Sequence, residues 1–216
     1  MDADKRRLPE PASDHPGVLG RLSDGPWRFH VVGAGGAGMN AIALILLELG
    51  HSVSGSDEKP STALDRLARA GARVWVGHDA QNVQGADAVV HSSAIAATNV
   101  ELVQARNLGT PVHGRAEVLA AICSLKRTLA VSGTHGKTTT TAMLSVVLEA
   151  SGVRPSYLVG GDLPGGRGGA LWTDGDFFVV EADESDGTFL TLPASGALVT
   201  SVEPDHMDFF GDVATL

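Results

Sequence analysis

Val131-Ser132-Gly133-Thr134-His135-Gly136-Lys137-Thr138-Thr139-Thr140 decides how this chain is read. The apolar run from Thr128 to Val131 predicts a buried strand. Glycines end it, and a helical pattern follows from Lys137 to about Ala150. A strand, a glycine turn and a helix N-terminus together make an anion cradle. The first-turn N–H groups have no intrahelical acceptor, and the helix dipole favours negative charge there. Lys137 supplies a point charge for β- and γ-phosphates, and the Thr138 hydroxyl is placed to ligate Mg²⁺. The expected ligand is a nucleoside triphosphate. The spacing departs from G-x-x-x-x-G-K-[ST]: Val131 holds the first glycine position, and Gly133 stands in two residues nearer. An ordinary strand–turn–helix junction would share this pattern. However, the run Thr138–Thr141 is a poor helix start, because β-branched side chains lose rotamer freedom there. A run of hydroxyls makes more sense if some of them bind a ligand.

Upstream, Gly33-Ala34-Gly35-Gly36-Ala37-Gly38 matches G-x-G-x-x-G. It follows the predicted strand Phe29–Val32 and opens a helix at Met39. Asp57 ends the next strand roughly 20 residues on, where a ribose-binding carboxylate belongs. The motif requires a diphosphate at a helix N-terminus beside a ribose hydroxyl. NAD, FAD and UDP all satisfy it. Further predicted strands are Ser52–Ser56, Arg73–Val76, Ala88–His91 and Pro111–His113. Predicted helices are Met39–Leu49, Thr62–Ala70, Val100–Asn107 and Ala116–Cys123, with Gly50, Gly71 and Gly109 at left-handed caps. Alternating strands and helices predict an α/β fold with a parallel sheet covered on both faces.

Residues 1–26 are rich in proline and charge and are expected to be a disordered tail. Residues 27–123 form a Rossmann-like domain, and residues 124–216 begin a second, P-loop-type α/β domain. That second unit continues through Tyr157–Val159, a glycine-rich loop at 160–169, Phe177–Glu181 and Ala197–Val202. A complete sheet of this kind usually needs more chain, so the expectation is a fragment. Phe177–Val180 runs into Glu181, Asp183, Glu184 and Asp186, carboxylates that repel unless a cation sits among them. A second cluster, Glu203-Pro204-Asp205-His206-Met207-Asp208, follows the next strand. In parallel sheets ligands lie at strand carboxyl ends, so both clusters converge on the edge that carries the phosphate loop.

The 216 residues carry a net charge of −9, which argues against nucleic-acid or anionic-membrane surfaces. A single cysteine, Cys123, excludes an internal disulfide and suits a reducing, cytoplasmic setting. The N-terminal stretch has no apolar segment for a signal peptide, and no apolar run is long enough to span a bilayer.

From about Arg28 onward the chain resembles the Mur ligases, the ATP-dependent amide-forming enzymes of peptidoglycan synthesis. The resemblance rests on HVVGAGGAGM (30–39), SGSD (54–57), HSSAI (91–95), SGTHGKTTT (132–140), VVEADESD (179–186) and EPDHMD (203–208). His135, Ser185 and Met207 resemble the branch that adds L-alanine to UDP-N-acetylmuramate. The resemblance implies three domains, of which these residues hold the first and the start of the second. It implies an acyl phosphate formed from ATP and the lactyl carboxylate, then attacked by L-alanine. Gly133, Thr134, His135, Gly136, Lys137, Thr138 and Thr139 would bind ATP. Lys137, Glu181 and His206 would be catalytic, with Thr138, Glu181 and His206 holding Mg²⁺. Gly35, Gly36, Ala37, Gly38 and Met39 would grip the UDP diphosphate. Asp57, Ser92 and Ser93 would lie near ribose and uracil, and Ser185 and Asp186 would face the sugar. Asn40 and Ala41 stand where the family has a Ser-Gly pair, and Ser201 where it has asparagine.

Overall fold

A computed structural model describes residues 17–203 apart from 164, 166 and 184–187. The first unit holds β1 (Arg28–Val32), β2 (Ser52–Asp57), β3 (Arg73–Val76), β4 (Ala88–His91) and β5 (Val112–Gly114). They pair in parallel in the order β3-β2-β1-β4-β5. Helices cover both faces of the sheet, so successive residues of β1 and β4 are buried on either side: Phe29, Val31, Val32, Ala88, Val89 and Val90 are fully buried, whereas β2 is mostly small and polar. The order reverses at β1, leaving a crevice beyond the carboxyl ends of β1 and β4. Around the sheet lie α1 (Ala37–Glu48), α2 (Thr62–Arg69), α3 (Val100–Asn107) and α4 (Arg115–Ser124). Ser61 caps α2 by accepting from Leu64 N, and Asn99 caps α3 by accepting from Glu101 N. Gly50, Gly71 and Gly109 follow their helices at φ 89°, 103° and 70°, the left-handed caps expected of them.

The second unit holds β6 (Arg127–Ser132), α5 (Lys137–Ala150), β7 (Ser156–Leu158), β8 (Ala170–Leu171), β9 (Phe177–Glu181) and β10 (Ala194–Val199). The sheet order is β10-β6-β9-β7-β8, parallel except for the β7–β8 pair. The two units share one apolar core, in which Ile42 and Ile45 of α1 join Leu158, Phe178 and Val180. The Glu48 carboxylate accepts the Trp172 N–H across the same seam. Arg66 of α2 forms a two-pronged pair with Asp162 at 2.9 and 3.1 Å. Among the described residues no helix is long and apolar enough to cross a membrane.

Two expectations need correction. Part of the expected disordered tail is ordered: Val18–Asp24 forms a 3₁₀ helix. Leu19 and Leu22, on either side of a kink at Arg21 (φ −130°), both enter the core, at 5% and 3% exposure. Composition averaged over proline and charge hides that pair. Residues 1–16 lie outside the described residues. The last strand also ends earlier than predicted, at Val199 rather than Val202. Thr200 N still donates to Ser132 O at the end of β6, and beyond it Ser201 and Glu203 bind the phosphate loop instead of a strand.

Candidate functional site

The first glycine turn is built from the end of β2. Ser56 O accepts from Gly33 N and Ala34 N, each at 2.9 Å, and Asp57 Oδ2 accepts from Gly35 N at 2.8 Å. A side chain at Gly35 would put its Cβ 2.8 Å from that carboxylate oxygen, so any larger residue would have to displace Asp57 from the turn. Gly36 is the N-cap of α1 and offers no side-chain cap. The N–H groups of Ala37, Gly38 and Met39 therefore open outward. They border a cleft of about 240 Å³ completed by Ser92 and Ser93 after β4, Arg115 at the start of α4, and Asp183 after β9. Arg115 Nη2 lies 4.0 Å from Asp183 Oδ2 across it. Gly35 and Asp57, expected at the UDP substrate, brace the turn from behind and do not line the cleft. Asn40, one of the family departures, donates to Ala34 O (3.2 Å) and Ala63 O (2.8 Å) and so ties the turn to α2.

The second glycine turn joins β6 to α5. Gly136, its N-cap, is left-handed at φ 80°. Gly133 sits at φ 122°, and a Cβ there would lie 2.4 Å from Thr200 Oγ1 and 2.7 Å from Ser201 O. The displaced glycine of the motif thus makes room for the segment after β10. Thr200 Oγ1 donates to His135 O (2.5 Å), Ser201 O accepts from Thr134 N (3.0 Å), and Glu203 N donates to Thr134 Oγ1 (2.9 Å). Ser201 Oγ accepts from His135 N at 3.1 Å, so the serine that replaces asparagine still anchors the loop. Lys137 Nζ donates to Gly133 O at 2.8 Å, which places the ammonium over the mouth of the turn. The Thr138 hydroxyl donates to Glu181 Oε1 (2.8 Å), and Glu181 Oε2 accepts from Gly160 N (2.6 Å). A hydroxyl and a carboxylate side by side are hard oxygen donors, the set that Mg²⁺ takes.

Gly133, Thr134, His135, Gly136, Lys137, Thr138 and Glu181 therefore come together, as do Gly36, Ala37, Gly38, Met39, Ser92 and Ser93. Thr139 is exposed on the first turn of α5, beside Thr138. Ser185, Asp186 and His206 lie outside the described residues. Arg115 and Gly160 were missed, and Asp183, expected among the carboxylates round a cation, instead lines the first cleft. Arg115 directly follows β5, so the rule that ligands gather at strand carboxyl ends could have found it. Gly160 read only as part of a flexible loop, yet a Cβ there would lie 2.9 Å from Glu181 Oε2.

Residues 28–127 match the Mur ligase family, catalytic domain, and residues 131–216 match the Mur ligase middle domain. A UDP-N-acetylmuramate–L-alanine ligase of Phenylobacterium zucineum is 49% identical over 183 residues, covering 85% of this chain and 38% of that protein. One from Bordetella avium is 50% identical over 189 residues, covering 87% and 40%. The chain thus spans about two fifths of the length of these curated relatives. The solved UDP-N-acetylmuramate–alanine ligase of Thermotoga maritima superposes with a TM-score of 0.82 at 31% identity, covering 88% of this chain and 45% of the other. The UDP-N-acetylmuramate:L-alanyl-γ-D-glutamyl-meso-diaminopimelate ligase of Neisseria meningitides gives 0.81 at 31%, covering 88% and 65%. Its two sheets match successive domains of one family, and its glycine turns carry that family's motifs: the chain belongs to the Mur ligase family.

Proposed function

We propose that this chain provides the UDP-substrate site and part of the ATP site for joining L-alanine to the lactyl carboxylate of UDP-N-acetylmuramate, a cytoplasmic step of peptidoglycan synthesis. One observation carries the reading. The cleft at the start of α1 ends on Asp183, two residues beyond the Glu181 that pairs with Thr138 at the phosphate loop. A sugar nucleotide held by its diphosphate at one glycine turn would lead its acid group toward the other. The names of relatives about half identical to this chain support L-alanine as the amine.

The N–H groups of Ala37 to Met39 and the Arg115 guanidinium would hold the diphosphate. Thr138 and Glu181 would hold Mg²⁺, which when bound offsets phosphate charge; the resemblance gives His206 the same task at a second position. A lactyl carboxylate oxygen attacks the γ-phosphorus of ATP, and ADP leaves. The amine of L-alanine then attacks the acyl carbon, and phosphate leaves. No side chain becomes covalently bonded, so the protein's part is positioning and charge. Lys137 would exchange its carbonyl partners for the transferring phosphate. In any form of the chain that ligates, Lys137→Ala should lower the rate on the order of 10²-fold or more while leaving UDP-sugar binding intact. Ligation within a few-fold of the parent chain would overturn this role.

A further inference from the structure

Behind the first glycine turn lies a buried polar cluster that the proposed chemistry does not use. Glu101, in the first turn of α3, is fully buried. Its Oε2 accepts from Ser56 Oγ (2.6 Å) and from His78 Nδ1 (2.8 Å). Its Oε1 accepts from Asn82 Nδ2 (2.7 Å) and lies 3.5 Å from His30 Nε2. These partners come from β2, the loop after β3, the turn at Ala80–Val83 and β1. His30 is itself fully buried, with Nδ1 2.9 Å from Ser54 Oγ. The N-terminus of α3 adds a favourable dipole for the anion.

Stability alone does not account for such a cluster, because apolar side chains of similar volume often replace buried ionic groups at no loss. Its position does. Ser56 is the residue whose carbonyl holds Gly33 N and Ala34 N, and its neighbour Asp57 holds Gly35 N. Three successive N–H groups of the turn thus hang from the last two residues of β2, and the Ser56 side chain is fixed by Glu101. We propose that Glu101 is a positioning residue for the diphosphate-binding turn: it locks Ser56, and through it the shape that presents the Ala37–Met39 N–H groups to ligand. This rests on the UDP-substrate reading of the cleft.

The test uses the 216-residue chain, UDP-N-acetylmuramate as the titrant, and amide spectra of the ligand-free protein. Glu101→Gln keeps the shape but turns an acceptor into a donor facing donors. Ser56→Ala removes the link, together with the 3.1 Å contact of Ser56 Oγ to His78 Nδ1, and leaves Glu101 its hydrogen bonds from His78 and Asn82. Losing one buried hydrogen bond that shapes a site should weaken binding about tenfold in each variant. The Gly33, Ala34 and Gly35 amides should shift while those of Gly133 and Gly136 stay in place, a local pattern that general loosening would not give. If Glu101→Gln fails to fold, Ser56→Ala decides. A folded variant with affinity within about twofold of the parent chain and unmoved turn amides would overturn the proposal. If the parent chain binds no UDP-sugar, the reading of the cleft fails. The ligand-free spectra still decide whether Glu101 shapes the turn.

Discussion

A single carboxylate, that of Glu181, takes two donors that arrive from different elements. Oε2 accepts the Gly160 N–H and Oε1 the Thr138 hydroxyl, so the side chain is aimed before any cation arrives. Glu181→Gln keeps the volume and one acceptor for Gly160 but loses the charge that a hard cation needs. We expect the variant to fold and its ligation to need markedly more Mg²⁺, on the order of tenfold or beyond. A magnesium titration of phosphate release checks this, and an unchanged Mg²⁺ requirement would mean that the carboxylate is misassigned. At this scale the sequence was informative about which groups meet where a strand end and a helix start decide it, as for Thr138 and Glu181. It was silent where the role depends on who stands opposite. Ser201 and Asn40 read as departures from the family, yet their side chains hold His135 N and Ala34 O.

Each glycine turn is a strand end joined to a helix N-terminus, and α1 allows a clean test. Gly36 has φ −71°, and a Cβ there would meet only Gly33 O, at an ordinary 3.5 Å. The fold does not require glycine at this position, whereas a bound diphosphate would. Gly36→Val should therefore fold and melt close to the parent chain but show no detectable UDP-N-acetylmuramate binding by calorimetry. Retained binding would move the diphosphate elsewhere. The first unit's elements were legible because strand runs and helix caps are local patterns, and their ends move by two residues at most. Val18–Asp24 and both ends of β10 were misjudged, and the two-residue β8 was not foreseen, because their fate is set by what they pack against. Leu19 and Leu22 find the core, and Thr200 to Glu203 find the phosphate loop.

Across the molecule, the Glu101 cluster ties β1, β2 and α3 together and makes stability depend on pH. Burial raises its pKa, but the His30 ring 3.5 Å away and the hydrogen bonds from Ser56 and Asn82 outweigh burial and bring it from 4.5 to about 2. A depressed carboxylate stabilises the fold above its unfolded value and loses that contribution as pH falls through the folded one. The melting-temperature gap between the parent chain and Glu101→Gln should thus be widest above about pH 5 and close toward pH 2. A gap that does not change with pH would contradict this. The cleft between the units was the least legible feature, because Arg115 and Asp183 lie far apart in sequence and meet only once both sheets are in place. That cleft also separates the two meanings of the first glycine motif. Titrating the 216-residue chain with UDP-N-acetylmuramate and, separately, with NAD is the most direct test: saturable heat with the UDP-sugar and none with NAD is the expected result, and NAD binding without UDP-sugar binding would contradict the account.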